Sequence, residues 1–346
     1  ISGGAGANFI KNTADIDVNS SGIGSGFSYA SGAHLSWDGD GESFSNAVIN
    51  STATGISAGN ENNTVINKGK LTILAKASTV KSITQTIRYW SEQENPDENN
   101  PPAPITSVDS DTLPTLPDDN YPVGKTIFWT KDPKSGDADY VPSYRTITNS
   151  NDDLVWVHID GYILEKTITL ANAPTYAFAN GNGLTGTGKA TAKGYSYATA
   201  YGMQLGNGDN NIINKTEINV SARPEAKTEV TADGDAFGDA VGTPHSFAVA
   251  RAYGISVGSG NNWIMNDGTI NVTAAPRASA KFRVTGGDIC IWFFGWHCGG
   301  GGDGKGDAVA SFDSLAVGIM TGNGTGNNEI INNGVLNVES IGRAHV

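Results

Sequence analysis

The stretch NWIMNDGTINV, residues Asn262–Val272, determines the fold of this chain. It follows the pattern N-x-Φ-x-N-x-G-x-Φ-x-Φ, in which Φ is an apolar residue. Four further copies begin at Asn8, Asn63, Asn210 and Asn328, with Ala14 and Thr216 in the glycine position of two of them. An internal repeat of this kind indicates a repeat architecture.

The second half of each copy reads as a short β-strand. Ile270 and Val272 alternate with Thr269 and Asn271, so that one face is apolar and the other polar. Gly268 before the strand is expected to adopt a positive φ at a sharp corner. A single coil of short strands and corners cannot bury its apolar face, but stacked coils can. The repeat therefore predicts an all-β, right-handed parallel β-solenoid.

A second block, GISVG at Gly254–Gly258, precedes the first one and recurs with it. The interval from Asn214 to Asn266 is 52 residues, which is long for one small coil. We therefore expect two coils of about 26 residues per repeat, and roughly ten coils in a rod near 50 Å long. The structural positions of the repeat are the second asparagine (Asn12, Asn67, Asn214, Asn266 and Asn332) and the closing glycine (Gly59, Gly206 and Gly258).

The chain starts within a repeat, at Ile1, and stops at Val346 without a polar cap. We expect both ends to be cut edges of a longer solenoid. Unpaired strand edges invite further coils or another chain to stack on them. Head-to-tail stacking of this kind would build an open filament.

Composition limits the possible partners. The net charge is −13, which disfavours nucleic acid and anionic membranes as ligands because these need a basic surface. No apolar run is long enough for a transmembrane helix. The chain has 45 glycines and only 16% charged residues, as expected for a solenoid with many corners.

The composition changes near Tyr89. Nine of the thirteen prolines lie between Pro96 and Pro142, and proline cannot donate to a strand ladder. We expect an inserted, acidic, proline-rich β arm or subdomain at 88–165, between solenoid repeats at 1–87 and 166–346. Strands are predicted at Lys125–Thr130, Leu154–Asp160 and Tyr162–Leu170. A disordered acidic linker is the alternative.

An aromatic loop at 283–307 interrupts the fourth repeat. Cys290 and Cys298, the only cysteines, fit one local disulfide of an exported protein. Rings pinned in this way could contact a neighbouring protein, a glycan or a lipid surface, or could fold back onto the solenoid wall. The candidate interaction residues are Trp292, Phe293, Phe294 and Trp296.

Enzymatic and metal chemistry are weakly indicated. Acidic turns such as Asp38–Glu42 and Asp233–Asp239 could take calcium, but no established calcium motif matches and solvated corners are the alternative. The five histidines are scattered, and the repeated strands carry no carboxylate cluster for glycan cleavage. We therefore expect no catalytic residue, no metal site and no cofactor.

The run from Gly254 to Val272 resembles the passenger regions of bacterial autotransporters and related large surface adhesins. The resemblance covers about 250 residues outside the insert and implies a β-helix exported to the cell exterior. It implies a non-enzymatic structural or adhesive protein of the bacterial cell surface. Its partners would be other copies of itself, neighbouring surface proteins, or glycans on another cell. The alternative is a glycan-binding or glycan-cleaving β-helix enzyme.

Overall fold

The computed structural model shows an all-β chain whose described residues form no helix. The described residues are 1–31, 40–92, 126–129, 143–148, 154–159, 161–181, 186–234, 238–286, 288–292, 296–300, 302–322, 324 and 326–346. The strands within them are β1 (Phe9–Asn12), β2 (Ile16–Ile23), β3 (Phe27–Ser31), β4 (Gly41–Ala58), β5 (Thr64–Asn67), β6 (Leu71–Ser78), β7 (Lys81–Glu92), β8 (Thr126–Trp129), β9 (Ser143–Thr148), β10 (Leu154–Ile159), β11 (Gly161–Ala173), β12 (Thr175–Asn180), β13 (Gly188–Leu205), β14 (Asn211–Asn214), β15 (Ile218–Asp233), β16 (Ala240–Val257), β17 (Trp263–Asn266), β18 (Thr269–Ala274), β19 (Arg277–Thr285), β20 (Asp288–Trp292), β21 (Trp296–Gly300), β22 (Gly304–Gly306), β23 (Val309–Met320), β24 (Glu329–Asn332), β25 (Val335–Ser340) and β26 (Arg343–His345).

Three parallel sheets form the walls of the solenoid. Sheet 1 is the short wall, with strand order β1-β5-β14-β17-β24. Sheet 2 has nine strands, β2, β3, β6, β12, β15, β18, β19, β25 and β26. Sheet 3 holds the long strands β4, β13 and β16, with β22 and β23 beside β16. The chain passes from sheet 1 to sheet 2 to sheet 3 and then begins the next coil.

Each repeat makes one coil, so the expectation of two coils per repeat and of a ten-coil rod is wrong. Asn12 pairs with Asn67, Asn67 with Asn214, Asn214 with Asn266, and Asn266 with Asn332. Because successive copies are hydrogen-bonded neighbours, no additional coil lies between them. The strands of sheet 3 occupy the residues that were assigned to a second coil. β4 has 18 residues, about 60 Å of extended chain.

The corner between sheets 1 and 2 lies at the second asparagine, as expected, but its glycine serves a different purpose. Among the described residues, the positive φ angles are at Gly6, Glu61, Gly208 and Gly260, in the turn that precedes the first asparagine. Gly268 is needed for close approach instead. A Cβ atom there would lie 1.9 Å from the carbonyl oxygen of Thr216 in the coil below.

Small side chains fill the space between the long strands of sheets 2 and 3. In β13 and β16 the buried residues of the middle part are mostly alanine, as at Ala198, Ala200, Ala250 and Ala252. Cα atoms of β13 and β15 approach within 8 Å, whereas stacked sheets usually lie ~10 Å apart. Larger residues such as Ile56, Met203 and Ile255 are buried nearer to sheet 1. The cross-section of the solenoid is therefore wider beside sheet 1 and narrower at the opposite end of sheets 2 and 3.

Strands of the inserted region pair with each other in antiparallel fashion. β11 pairs with β7 and with β8, and β10 pairs with β9. β8, β10 and β11 coincide with the three predicted strands. Most of 88–165 lies outside the described residues, so the predicted domain boundaries and the order of this arm stay predictions. The right-handed winding also stays a prediction.

Candidate binding face

The repeated asparagines form two side-chain ladders along the stack. The second asparagines are linked Nδ2 to Oδ1, at 2.8 Å from Asn12 to Asn67, 3.0 Å from Asn67 to Asn214, 2.8 Å from Asn214 to Asn266 and 2.7 Å from Asn266 to Asn332. The first asparagines form the same kind of chain, Asn8 to Asn63 to Asn210 to Asn262 to Asn328. The sequence pattern identifies these positions, but only the stacked coils show that their side chains are hydrogen-bonded to each other.

Most amides in the ladders also bond their own corner. Asn214 donates to the carbonyl oxygen of Thr216 at 2.8 Å, and Asn63 donates to that of Glu61 at 2.8 Å. Asn67 and Asn214 are fully buried. Their polar atoms are thus used inside the protein, and the ladders hold the coils in register. The closing glycines lie near these corners, and a Cβ at Gly206 or Gly258 would meet the coil below at 2.5 Å.

Acidic turns join neighbouring coils in the described part of the chain. Asp40 Oδ1 accepts a hydrogen bond from the backbone N–H of Thr187 at 2.8 Å. Asp239 Oδ1 accepts from the N–H of Asp303 at 2.9 Å. No group of three or more metal-ligating side chains occurs among the described residues. Asp38 lies outside them, so part of the calcium hypothesis stays untested.

The loop with the two cysteines contains an antiparallel hairpin, β20 and β21. Cys290 and Cys298 are direct partners in this pair, as are Trp292 and Trp296. Directly opposed residues in antiparallel strands have Cα atoms ~4.5–5.5 Å apart, which suits a disulfide. The backbone register is compatible with the predicted bond, which stays a prediction. Phe293 and Phe294 lie outside the described residues.

The outer face of sheet 3 carries an aromatic surface that the sequence analysis did not assign to a site. In β13 the buried residues Ser196, Ala198 and Ala200 alternate with Tyr195, Tyr197 and Tyr201. β16 repeats the arrangement, so that its rings lie beside those of β13. We call this surface the aromatic face, and it consists of Phe44, Val48, Tyr195, Tyr197, Tyr201, Phe247, Val249, Tyr253, Leu315 and Val317.

The rings of the aromatic face pack against each other across the coils. Tyr201 and Tyr253 are stacked, with centroids 4.9 Å apart and an interplanar angle of 9°. Tyr197 and Phe247 meet edge to face at 6.3 Å. Phe44 at the start of the face is 56% exposed and Val48 is 51% exposed. Such ordered, partly exposed rings lose little conformational entropy when they bind a partner.

The carboxylates beside the aromatic face are each paired with a cation. Within the described strands of sheet 3, the carboxylates are Glu42 and Asp313. Glu42 lies 3.0 Å from Lys189, and Asp313 pairs with Arg251. The hydrogen bond from Arg251 holds the pKa of Asp313 below its usual range, and the carboxylate in turn raises the pKa of Arg251. Burial raises the pKa of Tyr201, so its hydroxyl is neutral at physiological pH.

Comparison of the chain with protein families, curated proteins and solved structures found no significant match to any of them. In the part of the chain that the structure describes, no helix has the length and apolar character needed to cross a membrane. The class of protein is thus given by its architecture, a stack of parallel β coils with an aromatic outer face.

Proposed function

We propose that this chain is a non-enzymatic structural or adhesive protein of the bacterial cell exterior, with the aromatic face as its contact surface. The observation that supports the proposal most is the alignment of partly exposed rings on β13 and β16, with Tyr201 stacked on Tyr253 at 4.9 Å. Extended exposed apolar surfaces on soluble proteins mark interaction sites. The extracellular location rests on the repeat pattern and on the resemblance to autotransporter passengers.

A second copy of this chain is the partner that we favour for the aromatic face. A sheet whose uncovered face carries many apolar side chains is commonly buried by another sheet. The strands of sheet 3 reach 18 residues, so four of them span roughly 60 Å by 20 Å. Even part of this area exceeds the ~800 Å² per partner of a standard protein interface.

The paired carboxylates favour binding over catalysis at this face. Glycan hydrolysis needs two free carboxyl groups on either side of one bond. Glu42 and Asp313 are each held by a cation and belong to strands at opposite edges of the described four-strand face. A glycan-binding function is the alternative, because flat tyrosine rings can also stack on sugar rings.

Analytical ultracentrifugation of the purified chain tests the proposal. We expect concentration-dependent self-association that is lost in the double variant Tyr197→Thr, Phe247→Thr, because threonine keeps strand propensity but removes the rings. Leu74→Thr is the control, since Leu74 is a half-buried apolar residue on sheet 2.

Three outcomes distinguish self-association through the aromatic face from glycan binding and from self-association through another surface. Self-association that the double variant lacks and Leu74→Thr retains supports the proposal. A monomer at all concentrations that binds neutral glycans through the same rings would favour the alternative. Self-association that is identical in all three proteins would show that the aromatic face is not the contact surface.

A further inference from the structure

A groove on the outer face of sheet 2 collects positive charge on an otherwise acidic protein. It encloses about 520 Å³. Four cations line it, and each belongs to a different coil: Lys76 on β6, Arg223 on β15, Arg277 on β19 and Arg343 on β26. We call this site the basic groove. It is unrelated to the aromatic face, which lies on sheet 3.

The strand register explains how residues distant in sequence meet in the basic groove. Lys76 pairs with Arg223 in the neighbouring coil, and Arg277 pairs with Arg343. The second pair is displaced along the strands by two residues, because Arg277 lies beside Glu225. Neighbouring strands are ~4.8 Å apart, so a polymer that runs along the stack meets one cation per coil.

The four cations are free to bind an external anion. All four side chains are exposed, and none forms an ion pair with a carboxylate in the described part of the chain. Within the described residues, the Arg223 side chain donates one hydrogen bond, from Nε to the Ser221 hydroxyl at 2.9 Å.

The single carboxylate of the basic groove is already neutralised. Glu225 lies 2.8 Å from Lys227. A smaller concavity of about 210 Å³ continues from the groove along the strands and adds Lys227 and His345 to its lining. The four cations thus leave a local excess of positive charge in the basic groove, although the whole chain has a net charge of −13.

We propose that the basic groove binds a linear polysaccharide that carries carboxylate groups. Arginine guanidinium groups bind carboxylates with two parallel hydrogen bonds, and three of the four cations are arginines. The lining residues Ala275, which is half-buried, and Ile341, which is 44% exposed, add apolar surface against which the carbon atoms of a sugar can pack.

A nucleic acid fits the basic groove less well than an acidic polysaccharide does. Among the described residues that line the groove none is aromatic, whereas single-stranded nucleic acids are held by rings that stack on their bases. A duplex carries a charge about every 1.7 Å, and the acidic surface beyond the groove would repel it.

The test measures binding of a fluorescently labelled polygalacturonate oligosaccharide to the whole chain at low salt. We expect binding that weakens as salt is added, and no binding of the fully methyl-esterified oligosaccharide, which has the same sugars without charges. The variant Arg223→Gln, Arg277→Gln should raise Kd by roughly tenfold or more, because it removes two charge-assisted contacts.

Control variants separate the groove from overall charge. Lys189→Gln with Lys305→Gln removes two cations from sheet 3 and should leave Kd unchanged. Arg223→Lys with Arg277→Lys should retain part of the affinity, which shows that the loss in the glutamine variant is not due to misfolding. An absence of binding at low salt, equal binding of the esterified probe, equal loss in the sheet 3 control, or tighter binding of single-stranded DNA would each overturn the proposal.

Discussion

Glu61 occupies a backbone position that glycine holds in the neighbouring coils. Its φ is 103°, and the corresponding residues Gly6, Gly208 and Gly260 have φ values of 98°, 118° and 135°. A side chain in this region is strained, because its Cβ crowds the backbone. The carbonyl oxygen of Glu61 is held there by the buried amide of Asn63 at 2.8 Å. The asparagine ladder thus imposes the conformation even where the residue does not favour it.

Replacing Glu61 with glycine should stabilise the protein by about 1 kcal/mol, because the strain disappears. Urea denaturation would measure the change in the free energy of unfolding. Glu61→Ala removes the same charge but keeps the Cβ atom, and should give little stabilisation. A similar gain in both variants would mean that the charge of Glu61, and not its φ, is unfavourable.

At the scale of the element, the asparagine ladder and the alanine-rich strands have complementary roles. The ladder fixes the lateral register of the coils at the corner of sheets 1 and 2. The alanines let the two long sheets come together, which leaves the tyrosine and phenylalanine rings of β13 and β16 on the outside. The aromatic face is therefore a consequence of how thin the solenoid is.

Asn214→Ala should lower the free energy of unfolding by about 2 kcal/mol, because the buried amide of Asn67 loses its acceptor. The matched control is Asn219→Ala in the same coil. Asn219 also accepts a hydrogen bond from an asparagine, Asn271, at 2.7 Å, but it is only half-buried and water can replace the bond. Equal losses in the two variants would contradict a special role for the buried ladder.

At the scale of the whole molecule, the protein is a stack in which each coil contacts only its neighbours. In such a stack the stability of a coil depends on whether it is covered on both sides. β13 is paired with both β4 and β16, whereas β24 in sheet 1 is paired with β17. The exposed apolar residues Ile330, Leu336 and Val338 all belong to the coil that contains β24.

Hydrogen exchange of this 346-residue chain should therefore be graded. We expect the amides of β13, β14 and β15 to exchange most slowly and those of β24, β25 and β26 to exchange fastest. Mass spectrometry of peptides from timed deuterium labelling measures this gradient. Uniform protection across all coils would indicate a single cooperative unit.

Several features of this protein follow from local sequence alone. The pattern around Asn266 and Gly268 predicts a strand, a corner and a second strand, and the structure has β17 and β18 there. The repetition of this pattern also predicts parallel stacking, because identical asparagines in register can bond each other. These properties depend on neighbouring residues, so they can be predicted from the repeat.

Coil length and both candidate binding surfaces were decided by the tertiary structure. Over most of their length, the long strands of sheet 3 bury alanine, glycine and serine and leave tyrosine, phenylalanine and threonine on the outer face, which is the reverse of the usual pattern of buried and exposed residues. The length of these strands could therefore not be predicted from hydrophobic periodicity. Arg223, Arg277 and Arg343 come together only because their coils stack. Contacts between residues so far apart in sequence depend on the number of residues per coil, which the repeat pattern by itself does not specify.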